Sequence, residues 1–267
     1  MLRPVRRALV LQTVSTEVRH TPSLAGRSRP GAWLRPLLWA SLVCLLGAGG
    51  RTVASAAEPL LTLQPGDRVA ILGNTLADRM QHSGWLETYT HALHPRHELV
   101  FRNLGYSGDE LKVRQREENF GSPDEWLTKV QASVVWSFFG YNEALRGPAG
   151  LPQFRADLAE VIDGMRKQKY DGKANPRLVF FSPIAHENLK SPHLPDGSEN
   201  NEKLAAYTAA MREVCAEKQV AFVDLFTPTR ELYGRAKSPW TMNGIHLLDD
   251  GERQVAGVIV DRLFGGK

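Results

Sequence analysis

The sequence predicts an α/β protein: a three-layer α/β/α domain built on a parallel five-stranded sheet. Three observations carry that expectation. From about Leu63 onward, short apolar runs of β-rich composition alternate with longer stretches of helical period. Five strand-then-helix units follow one another, the order that lays parallel strands side by side and covers both faces with helices. Each strand run ends in glycine or small polar residues, at the edge where ligands bind in such sheets.

The first unit begins with the apolar run 69–72, breaks at Gly73 into Asn74 and Thr75, and turns helical over 76–93. A junction of this kind leaves the first backbone N–H groups of the helix free to bind an anion or oxyanion. Taken alone, Thr75 reads as the residue that caps that helix, although a hydroxyl placed there is also well sited for chemistry. The second strand, 99–101, runs into Asn103-Leu104-Gly105-Tyr106-Ser107-Gly108-Asp109, and a helix is expected over 124–130. The third, 134–139, holds Trp136 as a core residue and ends in Gly140-Tyr141-Asn142-Glu143 before a helix over 151–169. The fourth, 178–181, opens into the Pro-, Gly- and His-rich stretch 182–199, which is long for such a connection and reads as a lid or substrate wall. A helix over 200–218 and a strand over 221–225 follow. Asn243-Gly244-Ile245-His246-Leu247 then precedes a last helix over 250–263.

Composition narrows the function classes. The chain is 42% hydrophobic and 23% charged, enough to bury a full core. Its formal charge of +4 is concentrated in residues 1–56, which hold eight Arg and a single acidic residue; the remaining 25 basic and 28 acidic residues give −3. The basic balance therefore belongs to a leader, and a nucleic-acid partner loses its main support. Arg27, Arg29 and Arg35 precede an apolar run over 37–48, short for a membrane span and suited to a signal-peptide core, with Ala54-Ser55-Ala56 as the cleavage site. The expectation is a leader over 1–56, one domain over 57–267, export to the periplasm or beyond, and membrane attachment only through an uncleaved leader. Leu42-Val43 before Cys44 lacks the small residues of a lipidation site. Cleavage leaves only Cys215, set in an apolar helical pattern as a buried small hydrophobe. No C-x-x-C, H-E-x-x-H or phosphate-loop pattern is present, so no metal, nucleotide or other cofactor is implied.

The polar segments after the strands converge on one rim, and four of them together resemble the SGNH, or GDSL-type, hydrolases, secreted esterases and acylhydrolases of flavodoxin-like fold. Gly73-Asn74-Thr75-Leu76 stands where that family has G-D-S-L, Gly105 matches the second-block glycine, Gly140-Tyr141-Asn142-Glu143 matches G-x-N-D, and Asn243-Gly244-Ile245-His246 matches D-x-x-H. The resemblance spans about residues 65–265. It implies Thr75 as nucleophile, His246 as general base, Asn243 as the residue orienting the imidazole, and the backbone N–H groups of Thr75 and Gly105 with the Asn142 amide as oxyanion donors. Two departures bear on rate: the Thr75 methyl crowds attack, and Asn243 supplies no negative charge behind the ring.

Around this set, Asn74, His186 and Glu143 are weaker substrate-binding candidates. Glu143 reads equally as a residue that holds backbone, and His186 with Glu187 as a surface pair. Ser107 and Ser182 share the rim as alternative hydroxyls, and Asp78, Asp109 and Asp249 are carboxylates near enough to meet the histidine, but each of the five taken alone reads first as a turn or cap residue. Tyr106, Tyr141 and Trp240 adjoin the rim and could stack on a sugar. Arg114 and Arg116 read as a solvated basic face or an anion site. The function expected is hydrolysis that removes acyl or acetyl groups from a carbohydrate or a small ester. The alternative from another class is a non-catalytic domain that holds a glycan or carboxylate in the same cleft.

Overall fold

The computed structural model describes residues 59–114 and 117–265. Residues 1–56, with the expected leader and cleavage site, and Arg116 lie outside them. Five strands, β1 (Arg68–Gly73), β2 (Val100–Asn103), β3 (Val134–Phe138), β4 (Arg177–Phe181) and β5 (Ala221–Val223), pair in parallel in the order β2-β1-β3-β4-β5. Between and after them run α1 (Thr75–Ser83), α2 (Trp85–Leu93), α3 (Glu117–Phe120), α4 (Pro123–Lys129), α5 (Tyr141–Ala144), α6 (Leu151–Met165), α7 (Ser198–Glu217), α8 (Phe226–Tyr233) and α9 (Asp249–Phe264). This is the expected three-layer α/β/α sheet. Its order reverses between β1 and β3, so the crevice beyond their carboxyl ends is the natural binding position.

Successive residues of a strand point to opposite faces, and the two faces here feed separate cores. Val69, Ile71, Val134, Trp136, Phe138 and Phe181 pack under α1, α2 and α9. Ala70, Leu72, Val135, Leu178 and Phe180 pack under α6 and α7. Trp136 and Cys215 are fully buried, as their patterns imply; burial pushes the Cys215 thiol up to about 12. Among the described residues no helix is long and apolar enough to cross a membrane. At the amino edge of the sheet, the Leu61 N–H donates to the Leu263 carbonyl at 3.2 Å, bringing the two ends of the domain together.

Several elements differ from expectation for local reasons. The single helix expected over 76–93 is two, because Gly84 adopts φ +68 and its N–H closes on the Met80 carbonyl as a left-handed cap. A Cβ at Gly84 would meet no atom within 4 Å. Gly84→Ala is therefore expected to cost only the left-handed strain, about 1 kcal/mol, measurable as a lowered urea midpoint with unchanged slope. The short α5 and α8 fall below the length at which periodicity is readable. The Ala221–Val223 strand stops early because the Ser182 hydroxyl accepts the Leu225 and Phe226 N–H groups at 2.8 and 3.1 Å and turns the chain into α8.

Candidate active site

Gly73 and Phe138 are register partners at the carboxyl ends of β1 and β3, and a Cβ on Gly73 would lie 2.3 Å from the Phe138 carbonyl. Only glycine allows the next two residues to leave the sheet so close to its neighbour. Asn74 then caps α1: its Oδ1 accepts the Leu76 N–H at 3.2 Å while its own N–H donates to Phe138 at 3.1 Å. That makes Asn74 a buried helix cap, 5% exposed, on the wall of the cleft described below. It also displaces the capping role expected of Thr75. Thr75 is the first residue of α1, and neither its hydroxyl nor its backbone N–H has a hydrogen-bond partner among the described residues.

His246 sits on the turn before α9. Thr241 and Leu247 form an antiparallel bridge, and the Met242 N–H donates to the His246 carbonyl at 2.9 Å. Within the turn, the Asn243 Oδ1 accepts the N–H groups of Ile245 and His246 at 3.3 and 3.0 Å. Its Nδ2 therefore faces the ring, 3.0 Å from His246 Nδ1. An amide nitrogen only donates, so Nδ1 accepts and the neutral ring carries its proton on Nε2. Asn243 orients the imidazole as the resemblance implies, but toward the tautomer whose Nε2 donates rather than accepts. Burial, and then the Arg79 charge, hold the His246 pKa below the ordinary imidazole value.

The oxyanion donors are only partly those expected. The Gly105 N–H is taken by the Asn103 Oδ1 at 2.8 Å, which corrects its assignment as a donor. Glycine is needed there for another reason: a Cβ would lie 2.7 Å from the Asp78 nitrogen, where the chain after β2 passes against α1. Asn142 Nδ2 donates to the Asp109 carbonyl at 3.2 Å and keeps a second N–H. Thr75 N–H and Asn142 Nδ2 are thus the donors left to meet a developing oxyanion.

Other candidates take structural roles. Glu143 is buried and accepts from the Leu111 and Gly140 N–H groups, both at 2.9 Å, its carboxyl held above the usual range by burial; the structure gives it the backbone-holding role of its two readings. Ser107 donates to Asp78 at 2.6 Å, and Asp249 accepts from Trp85 Nε1 at 2.9 Å. Asp109 pairs with Arg114 at 3.2 Å, and that guanidinium stacks over Phe139, so Arg114 is a buried ion-pair partner and not a solvated face. No carboxylate bonds His246 among the described residues. Tyr141 lines the cleft, whereas Tyr106 stands exposed and Trp240 packs edge-on against Tyr233.

The start of the 182–199 stretch, Ser182, Pro183 and Ile184, lines the cleft as a wall, and His186 and Glu187 form no surface pair. Both are buried, at 6% and 5% exposure, and they brace the His246 turn. The Glu187 carboxylate accepts from Trp240 N–H at 3.1 Å and from Thr241 N–H and Oγ1 at 2.8 and 2.6 Å. Its own N–H donates to Gly244 at 2.8 Å, and Thr241 Oγ1 in turn accepts the Gly244 N–H at 2.9 Å. His186 packs against Gly244 and holds Asn200 through Nδ1 at 3.1 Å, correcting its reading as a substrate contact.

These pieces frame a cleft of about 140 Å³ that brings Thr75, Asn142 and His246 together over an apolar floor of Phe138, Phe139 and Ile184. Two further charged residues, Arg79 and Glu252, line it and have no part in the sequence expectation. Residues 66–254 match the GDSL-like lipase/acylhydrolase family. A GDSL esterase/lipase of Arabidopsis thaliana, CPRD49, is 24% identical over 202 residues, 72% of this chain and 77% of the relative. An acetylxylan esterase from Geobacillus stearothermophilus, solved as a catalytic mutant, superposes with a TM-score of 0.60 at 14% identity over 78% of this chain and 98% of that one. A gut microbial diltiazem-metabolizing enzyme also scores 0.60, at 18% identity over 77% of this chain, which spans 48% of that larger protein.

Proposed function

We propose, from the premise that this chain belongs to the GDSL-like lipase/acylhydrolase family, that it is an exported hydrolase of short acyl esters, working through Thr75. The observation that supports this best is the Thr75 hydroxyl, free of any cap bond at the N-terminus of α1 and sharing its cleft with His246 and Asn142. In the reaction, Thr75 Oγ1 attacks the ester carbonyl, His246 Nε2 takes the hydroxyl proton and returns it to the departing alcohol, and water then releases the acyl group by the same route. The Thr75 N–H and the Asn142 amide hold the oxyanion.

Turnover runs through a minority state. The resting ring carries its proton on Nε2, so the base must come from molecules in which the Asn243 amide has turned and Nδ1 holds the proton. Turning costs the two backbone hydrogen bonds to Oδ1, and the result is a slow enzyme rather than an inert one. An acetylated carbohydrate is the substrate class carried over from the acetylxylan esterase that shares the fold, and export rests on the leader sequence.

The Asn243 geometry favours a second reading, a non-catalytic domain that binds a glycan or carboxylate. Variants of Thr75 separate the two. Assayed on aryl acetates, Thr75→Ala is expected to fall to the uncatalysed rate, and Thr75→Ser to exceed the native protein by about tenfold as the crowding methyl is removed. Equal rates in the native protein and Thr75→Ala would assign the cleft to binding.

A further inference from the structure

Two groups in the cleft take no part in the chemistry just derived. Arg79 follows Thr75 by four residues and so stands one turn further along the same face of α1. Glu252 lies in the first turns of α9 and reaches the same cleft. The Arg79 Nε–H and the Glu252 Oε2 are both buried without a hydrogen-bond partner, although Glu252 is only 8% exposed. The two side chains form no ion pair with each other, and the nearest bond of the guanidinium is a long one, 3.4 Å to the Leu247 carbonyl. Burial holds the Glu252 carboxyl above the usual carboxylate range, with the Ser83 hydroxyl and then Arg79 opposing the rise; it is the other carboxylate oxygen, Oε2, that is left unfilled.

Buried polar atoms are almost always partnered, so an unfilled donor and an unfilled acceptor in one cleft point to an occupant that serves both. Its charge is constrained. An anion would meet the Glu252 carboxylate, and an ammonium would meet the Arg79 guanidinium. A hydroxyl is the smallest neutral group that accepts from a guanidinium N–H and donates to a carboxylate oxygen through one atom. The neighbouring walls, Leu76, Ile245 and Leu247, supply apolar contact only.

We propose that Arg79 and Glu252 form a hydroxyl-binding subsite for the alcohol half of the substrate. They select esters whose alcohol keeps a further free hydroxyl, as in partial esters of polyols and sugars, over esters of simple alcohols. This rests on the hydrolase reading of the same cleft.

The test compares glycerol monoacetate with propyl acetate, which share the acyl group and the three-carbon alcohol and differ in free hydroxyls. The native protein is expected to prefer glycerol monoacetate in kcat/KM by about ten- to a hundredfold, as a site built for a hydroxyl discriminates against an analogue lacking it. That ratio is expected to fall about tenfold in Glu252→Ala and less in Glu252→Gln, which keeps an acceptor oxygen of the same shape. No preference in the native protein, or a ratio unchanged in both variants with native circular dichroism, would overturn the subsite while leaving hydrolysis intact. Should neither ester turn over, titration with glycerol monoacetate followed by NMR decides separately. Binding that weakens about tenfold in Glu252→Ala upholds the subsite and removes the hydrolase reading, whereas absence of binding removes both.

Discussion

Asn243→Asp is expected to raise kcat on aryl acetates by two to four orders of magnitude, roughly the reverse of the ten-thousandfold loss that the opposite change brings in a serine protease. The carboxylate retains the two acceptor positions that now serve the Ile245 and His246 N–H groups. Its second oxygen replaces the amide nitrogen 3.0 Å from His246 Nδ1. The ring then places a proton on Nδ1, and Nε2 becomes the acceptor that Thr75 requires. The pH profile should move with it. Burial and Arg79 lower the His246 pKa in the native protein, so its neutral ring persists below the ordinary imidazole value. A carboxylate beside Nδ1 favours the protonated ring, so the acid limb of the rate profile should shift to higher pH in Asn243→Asp. A rate rise without that shift would mean that the substitution acts other than through the ring. Native-level activity would mean that the amide does not govern the tautomer.

Glu187→Ala is expected to be the most damaging single change to stability outside the apolar cores. It strands the Trp240 and Thr241 N–H groups and the Thr241 hydroxyl without their common acceptor. Hydrogen bonds to a charged group are worth about 1.5–3 kcal/mol each, and they are not additive when they share one acceptor. A loss of about 3–4 kcal/mol in urea-measured stability is the expected outcome. Glu187→Gln keeps an acceptor in place and should lose about half of that. Because Thr241 Oγ1 also holds the Gly244 N–H, loosening it frees the turn that carries Asn243 and His246. The Gln variant should therefore lose kcat more than it changes KM. A Gln variant with native kcat would confine Glu187 to a purely structural part.

The sheet was legible because apolar period is local information: residues 69–72 and 134–139 announce buried parallel strands with no help from the rest of the chain. That Thr75, Asn142 and His246 lie on the rim was legible for a related reason, each lying directly after a strand or before a helix, but their roles came only from the resemblance to GDSL-type hydrolases. What Gly105 does was also within reach, since Asn103 two residues earlier offers the side-chain turn that captures its N–H. The brace was not. The composition of 182–199 says loop, but that Glu187 grips Trp240 and Thr241, more than fifty residues on, depends on how two loops meet in space. Arg79 had a weak signal in its four-residue spacing from Thr75, and Glu252 had none, since an acidic residue early in a helix ordinarily answers the helix dipole.

The bond between Leu61 and Leu263 has a practical side. The α9 helix starts beside the His246 turn and runs 16 residues, about 24 Å, before reaching that contact. Anything attached at either end of the domain, whether an affinity tag, a reporter or a solid support, emerges at the pole away from the cleft. Immobilised through those ends, the protein presents its mouth outward, and linking the ends while reopening the exposed turn around Gly172 would yield a permuted chain with the cleft untouched.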